Sequence, residues 1–491
     1  MAKFNKNTSV VYKENTTNLA GGRAFKQDDK IAFASLLLTS LLKAQYYRSE
    51  EDQINALKEL ANSINDKQFL AKAAIYARNE FGNRSITHVA AAEIAKHVKG
   101  EQWTKDFFQQ VVRRPDDMTE TIAYYLNTYG KPIPNSLKKG FAKAFGKFDA
   151  YQLAKYRGGG KAVSLVDVVN LCHPVATDRN REALQALVKG DLKNEQTWEA
   201  MLSAAGSDAE DKADAWKTLL AQNKLGYFAG LRNINNIIEQ ADDATFKALL
   251  ELLVNRDQIK RSLVFPYRYL TAVQNIRDTG TRGRAALQAI TTAFDIACDN
   301  VPDLDGDTLV VCDYSGSMGS GLNSNKGTGS VFGAVLAKKC NADMLIFGST
   351  AAYIPYNPAK PALTLAEEFM THNEYSWGTQ ASSKIQVGHG TNFHAIFEVA
   401  NKAYKRIAIF SDMQGWLGGH SPEKTFKSYC TKHKVKPIVY SFDLAGHGST
   451  QLDSKDVIQI AGFSEKIFDL MPVLESGVHT LADVIDSVDI G

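Results

Sequence analysis

Thr308-Leu309-Val310-Val311-Cys312-Asp313-Tyr314-Ser315-Gly316-Ser317-Met318 decides how this chain is read. The apolar run 308–312 has no polar alternation, which suits a parallel strand covered on both faces. It ends in a loop that presents one carboxylate and two hydroxyls at alternate positions, with Gly316 for the tight turn. In open α/β sheets, ligands bind just beyond the carboxyl ends of strands. Hard oxygen donors of low total charge there suit Mg²⁺ or another divalent cation. Further runs of the same kind follow at 344–347, 406–410 and 437–442, separated by helical stretches at 331–339, 393–404 and 422–433. Strands alternating with helices predict a doubly wound α/β domain over residues 301–491. Within it, Thr391 adds a hydroxyl just before a helix, and Asp412 ends a strand. The stretch 355–390 is less regular and predicts long loops with short helical pieces.

Upstream the pattern is different. From about 28 to 300, apolar residues recur at helical spacing, as at 69–77, 87–98, 119–126, 137–156, 164–171, 213–220, 244–254 and 285–297. Breakers such as Gly82-Asn83, Gly100, Arg114-Pro115, Gly130 and His173-Pro174 part these stripes. No helix this short buries its own stripe, so residues 1–300 predict a solenoid of stacked helix pairs. Pro302-Asp303-Leu304-Asp305-Gly306-Asp307 is the expected linker.

Composition excludes several classes. Of 491 residues, 44% are hydrophobic and 23% charged, ample for packed cores and unlike a disordered or fibrous chain. The longest apolar run, 31–42, is shorter than the roughly 20 residues a bilayer needs, and the first residues lack the apolar run of a secretory signal. Five scattered cysteines (Cys172, Cys298, Cys312, Cys340, Cys430) form no C-x-x-C pair, so reduced thiols in the cytoplasm are expected. No H-E-x-x-H, phosphate-loop or nucleophile-elbow motif is present, and no catalytic residue is assigned.

Charge is uneven. Residues 301–491 hold 15 Lys and Arg against 20 Asp and Glu, so 42 basic and 34 acidic residues lie upstream. Lys131, Lys138, Lys139, Lys143, Lys147, Lys155, Arg157 and Lys161 face one acid, Asp149, in a single stretch. A solvated helix face mixes both signs, so this one-sided run predicts a polyanion partner. Around Gly158-Gly159-Gly160, the cations Lys155, Arg157 and Lys161 and the helix-end His173 suit close approach to phosphates.

Two resemblances add to these readings. Asp313, Ser315, Ser317, Thr391 and Asp412 match, in order, the metal-ion-dependent adhesion site of von Willebrand factor A domains, where the metal is a docking point for a carboxylate. The helical half resembles the TROVE module of the Ro ribonucleoprotein family. The matching motifs are Asn18-Leu19-Ala20-Gly21-Gly22, Arg113-Arg114-Pro115, Lys155-Tyr156-Arg157, Ser164 to Leu171 with His173-Pro174, Thr197-Trp198-Glu199, Leu231-Arg232-Asn233-Ile234 and Phe265-Pro266-Tyr267. Two places depart: Lys161-Ala162-Val163 stands where the family has an aromatic before the Ser of the basic loop, and Phe265 replaces a histidine. The resemblance implies an all-α HEAT-like helical-repeat ring closed by an α/β A domain. It implies a monomeric, non-enzymatic scaffold that binds small structured noncoding (Y-like) RNA and single-stranded 3′ ends of defective noncoding RNAs, with an exoribonuclease as a further partner. By that likeness Lys155, Arg157, Lys161 and His173 serve RNA on the outer surface, with Lys138 and Lys139 in the same basic run, and Arg232 and Asn233 lie on the inner surface. The rival reading is a protein-interaction module that binds an acidic ligand through the metal site without RNA.

Overall fold

The computed structural model describes residues 14–193, 197–299, 301, 304, 306–321, 323–373, 385–454, 456–475 and 480–491. Two short strands, β1 (Thr16–Thr17) and β2 (Arg23–Lys26), precede a run of helices from Asp29–Thr39 to Thr281–Ala297. Helix boundaries follow local chemistry. Ser49 and Asp52 form a reciprocal capping box at Glu50–Ser63, Pro115 opens Pro115–Tyr129, and Gly190 closes Arg181–Lys189 in the left-handed conformation. The stripe at 137–156 is not one helix. It divides into Asn135–Ala144, a 3₁₀ turn at Phe145–Lys147 and Ala150–Lys155, because the Asp149 carboxylate caps a new start by accepting from Gln152 N. Both helices bury their apolar sides in one core, so the stripe runs on across the break.

The downstream half holds β3 (Thr308–Asp313), β4 (Asp343–Phe347), β5 (Ala351–Tyr353), β6 (Arg406–Ser411), β7 (Ile438–Asp443), β8 (Ser449–Thr450) and β9 (Val457–Ala461). Six of these form a sheet in the order β5-β4-β3-β6-β7-β9, parallel except for the edge hairpin β4–β5. The helices Asn325–Lys339, Phe393–Val399 and Pro422–His433 make the crossovers. Alternation along β3 sends Val310 and Cys312 to the core shared with the helical half, and Leu309 and Val311 to a separate cluster under Phe393, Phe426 and Tyr429. Both ends of the helical run stand on this domain. Asp29–Thr39 and Lys67–Asn79 pack against the last helix, Leu481–Asp486, while Pro266–Gln274 and Thr281–Ala297 pack against Asn325–Lys339 and Ala362–Met370. An arch held at both feet by one domain closes a ring. Of the expected linker, Pro302, Asp303 and Asp305 lie outside the described residues. No helix among the described residues is long and apolar enough to cross a membrane.

Candidate metal centre and nucleic-acid interface

Three loops meet at the carboxyl ends of β3 and β6. Asp313 is fully buried; its carboxylate accepts from Ser315 N at 2.8 Å and from Ser411 Oγ at 2.5 Å. The Ser315 and Ser317 hydroxyls lie 3.3 Å apart. Asp412, also buried, accepts from Gln414 N at 3.1 Å. Thr391 joins them from the third loop: Gly316 N donates to His389 O at 2.9 Å, and Trp416 N and Leu417 N donate to Thr391 O. The loops that carry all five expected residues therefore meet. Burial, with the Asp412 charge beside it, raises the Asp313 pKa, and burial raises that of Asp412. Neither carboxylate has a Lys or Arg partner among the described residues, and two buried carboxylates without a counter-charge are costly. A divalent cation would supply the missing charge, and carboxylate and hydroxyl oxygens are the donors Mg²⁺ takes. The donor set fits the group. No cluster of three His, Cys, Asp or Glu that could hold a metal is found among the described residues; the candidate rests on two carboxylates with hydroxyls. His394, which flanks Thr391 in sequence, is packed and shares a 2.7 Å hydrogen bond with Thr425.

Asp443, at the end of β7, is a third buried strand-end carboxylate that sequence reasoning missed. It accepts from Ala445 N and Gly446 N, and burial pushes it up to about 6. The Asn-x-x-Gly-Gly motif also gains a physical meaning here. Asn18 Nδ2 donates to Gly415 O at 2.6 Å while its Oδ1 accepts from Gly22 N at 2.8 Å, and Leu19 N donates to Gln414 Oε1 at 2.8 Å. A Cβ on Gly22 would meet Gly415 O at 2.1 Å. The N-terminal segment thus grips the loop that follows Asp412.

The basic residues sort into three places. Lys138 and Lys139 line a cavity of about 630 Å³ with Lys96, Lys99 and Lys105. Arg157 and Lys161 line a groove of about 390 Å³, where Arg157 donates to Leu192 O and Lys161 pairs with Glu120 at 2.8 Å. His173 is exposed and ends its helix in the left-handed conformation. Lys155 goes elsewhere. It lines a cavity of about 480 Å³ with Arg114, Arg232, Arg261, Tyr156, Trp198 and Phe228. Lys155 and Arg232, expected on different faces of the ring, therefore share one site. The Tyr151 hydroxyl donates to Lys224 O at 3.1 Å and holds the helix Ala150–Lys155 against the segment that carries Arg232. Lys155 pairs with Glu199 at 3.5 Å, whereas Arg232 and Arg261 are exposed and have no carboxylate partner among the described residues. Phe228 is 42% exposed. Asn233 differs from its expected role: it is buried, its Nδ2 donates to Ala229 O and its Oδ1 accepts from Asn236, which fixes the junction between two helices.

The TROVE domain family model matches residues 27–191 and 188–294, more than half of the chain. The chain belongs to the TROVE domain family. It is similar to telomerase protein component 1 of Rattus norvegicus, 22% identical over 356 residues that cover 55% of this chain and 13% of that protein. The same protein of Mus musculus is 22% identical over 338 residues, 51% of this chain and 13% of its own length. The chain thus spans a small part of those relatives. Among solved structures, the Ro (RSR) protein of Deinococcus radiodurans superposes with a TM-score of 0.56 at 17% identity, over 90% of this chain and 99% of that one. That likeness is one of fold, and it takes in the helical ring and the α/β domain together.

Proposed function

We propose that this chain is a cytoplasmic RNA-binding scaffold of the Ro type. It takes small structured noncoding RNA and single-stranded 3′ ends of defective noncoding RNAs, serves RNA quality control and performs no chemistry itself. The observation that carries this reading is the cavity of Arg114, Lys155, Arg232 and Arg261 floored by Tyr156, Trp198 and Phe228. Guanidinium groups grip phosphates in fixed geometry, and half-exposed aromatics stack unpaired bases of any sequence. The Arg114 guanidinium already lies over the Tyr156 ring at 4.3 Å, so the cavity mixes charge and π-faces before any ligand enters. The family membership and the basic helical half support the same reading. All five cysteines are free, as suits a reducing compartment.

Binding of a single-stranded RNA to the purified chain is expected to weaken linearly on a log–log plot against salt, with a slope of about −0.7 per phosphate neutralised. Fluorescence anisotropy over a salt series measures it. A salt-independent affinity would remove the RNA reading.

In this proposal the strand-end site holds Mg²⁺ and ties the β3 and β6 loops together. Asp313→Ala is expected to abolish Mg²⁺ and Mn²⁺ uptake in calorimetry while circular dichroism stays unchanged, because in the metal-free chain it removes one of two buried carboxylates that disfavour each other's charge. Wild-type uptake by that variant would remove the site.

A further inference from the structure

Gln414, two residues beyond Asp412, is wholly buried and ties three segments together. Its backbone N donates to Asp412 Oδ1 at 3.1 Å and its Nε2 to Asp412 O at 3.2 Å. The same Nε2 donates to Ser449 Oγ at 3.3 Å, and its Oε1 accepts from Leu19 N at 2.8 Å. Ser449 belongs to β8, which pairs with β2 through Lys26, and Gln27 N donates to Gly448 O at 3.1 Å. Both ends of the strap 16–27 are thus tied to Gln414, one directly and one through β8. Asn18 adds its 2.6 Å bond to Gly415 O. Gly22 lies so close that a Cβ there would overlap Gly415 O at 2.1 Å and Trp416 Cα at 2.7 Å. Between Asp412 and Gln414, Met413 stands in the left-handed conformation at φ 60°. A non-glycine residue persists there only where its surroundings hold it. Here they are the strap, β8 and Gln451, whose Nε2 donates to Met413 O at 3.1 Å.

Hydrogen-bond partners of a metal-binding carboxylate orient it, and their loss typically costs about 10–100-fold in metal affinity. We propose that the strap 16–27 is a positioning element for the metal centre: through Gln414 it sets the Asp412 carboxylate, so that cation binding and docking of the strap on the α/β domain strengthen each other. The inference rests on the metal reading of Asp313, Ser315, Ser317, Thr391 and Asp412. Ser411 Oγ bonds Asp313 while Gln414 N bonds Asp412, so the turn 411–414 must stay in one place for both carboxylates to serve one cation. With the strap away, Gln414 Oε1 loses Leu19 N and Gly415 O loses Asn18, and the turn is free to relax. Coupling between two binding events is reciprocal. A cation that needs the strap therefore also holds it down. With it goes the first foot of the ring, because the strap leads directly into Asp29–Thr39. The Asn-x-x-Gly-Gly motif, remote in sequence from the metal residues, thereby belongs to their site.

The test uses the full chain with Mn²⁺ alone as the probe and has two readouts. Hydrogen exchange of wild type, followed by mass spectrometry, is expected to slow over 16–27 at saturating Mn²⁺, with no change in Thr281–Ala297 at the other foot of the ring. In calorimetry, Asn18→Ala and Gly22→Ala are each expected to weaken Mn²⁺ uptake by about 10–100-fold, with circular dichroism unchanged. Leu19→Ala trims a 46% exposed side chain but keeps the N–H on Gln414; as the control it retains wild-type affinity. By reciprocity, the loss of affinity and the slowing of exchange should be of similar size. Exchange over 16–27 that ignores Mn²⁺ overturns the proposal, whether or not the variants fold, because that readout needs none of them. Wild-type affinity in both strap variants overturns it too. So does an equal slowing in Thr281–Ala297, which would mark general stabilisation. If Asp313→Ala abolishes uptake while the strap variants keep it, the metal reading stands and the coupling falls. If wild type takes up no Mn²⁺, both fall.

Discussion

Arg232→Ala combined with Arg261→Ala is expected to weaken RNA binding by roughly 10²–10⁴-fold. Each guanidinium lines the aromatic-floored cavity without a carboxylate partner among the described residues, so each is free to meet a phosphate. A hydrogen bond to a charged group contributes about 1.5–3 kcal/mol, and a factor of ten corresponds to about 1.4 kcal/mol. Because both side chains are exposed, their removal leaves no buried charge and the fold is retained. Lys155→Ala should cost less, because Lys155 already answers Glu199 at 3.5 Å and its loss frees that carboxylate. Trp198→Ala and Phe228→Ala should each remove about 1–3 kcal/mol of stacking without changing the salt slope. Lys138→Ala with Lys139→Ala, in the separate cavity of about 630 Å³, is the comparison. Competition gel shifts on the four sets of variants decide. Equal losses from both pairs would mean that affinity comes from the net charge of the helical half, not from a built cavity.

The α/β half was the more legible in sequence, and the reason is physical. Its central strands are buried on both faces, so β3, β6 and β7 stand out as unbroken apolar runs, and the expected bounds hold to within a residue or so. The strands missed are those with little to bury. β5 is three half-buried residues on the sheet edge, β9 exposes part of Val457, Ile458 and Gln459, and β2 and β8 are short pieces that pair across the two halves. Helix 393–404 was overrun for a related cause: it stops at Val399, while Tyr404 stays apolar in sequence because it is buried under the sheet as loop.

The two sites differed in the same way. The candidate metal set stood out because Asp313, Ser315 and Ser317 fall within five residues at one strand end, and Thr391 and Asp412 sit at recognisable element ends. The cavity proposed for RNA did not, because Arg114, Lys155, Trp198, Arg232 and Arg261 come from five separate segments that only packing brings together. Each of these cations alone looks like a solvated surface charge. Several short motifs, weak as patterns, turn out to mark junctions: Gly22 against Gly415, Asn233 between two helices, and Glu199 on Lys155.

The motif Arg113-Arg114-Pro115 marks a heavily bonded junction, and Asp117→Asn there is expected to destabilise the helical half by about 3–5 kcal/mol at neutral pH. Asp117 is 2% exposed. Its carboxylate accepts from Arg78 Nε and Nη2 at 2.8–3.2 Å, from His88 Nε2 at 2.8 Å, and from Arg113 N and Arg114 N at 2.9 Å each. One side chain thereby caps the helix Pro115–Tyr129 and joins it to Lys67–Asn79 and Ser85–His97. The amide in Asp117→Asn has one acceptor oxygen and no charge, so Arg78, itself 4% exposed, is left as an unanswered buried cation. Breaking such a pair costs about 3–5 kcal/mol. The pH dependence follows from the same contacts. Burial alone would raise the Asp117 pKa, but the hydrogen bond with His88 and the Arg78 charge outweigh it and hold the group well below its ordinary 3.8. A depressed folded-state pKa means that the contribution is present in full above the unfolded value and is lost as pH falls through the folded one. The gap between wild type and Asp117→Asn should therefore be widest above about pH 5 and close progressively below about pH 4. Urea unfolding followed by circular dichroism, on both proteins from pH 7 down to pH 3, measures it. A variant within ~1 kcal/mol of wild type at pH 7 would place this cluster with ordinary surface pairs, and a gap that widened in acid would contradict the sign worked out here.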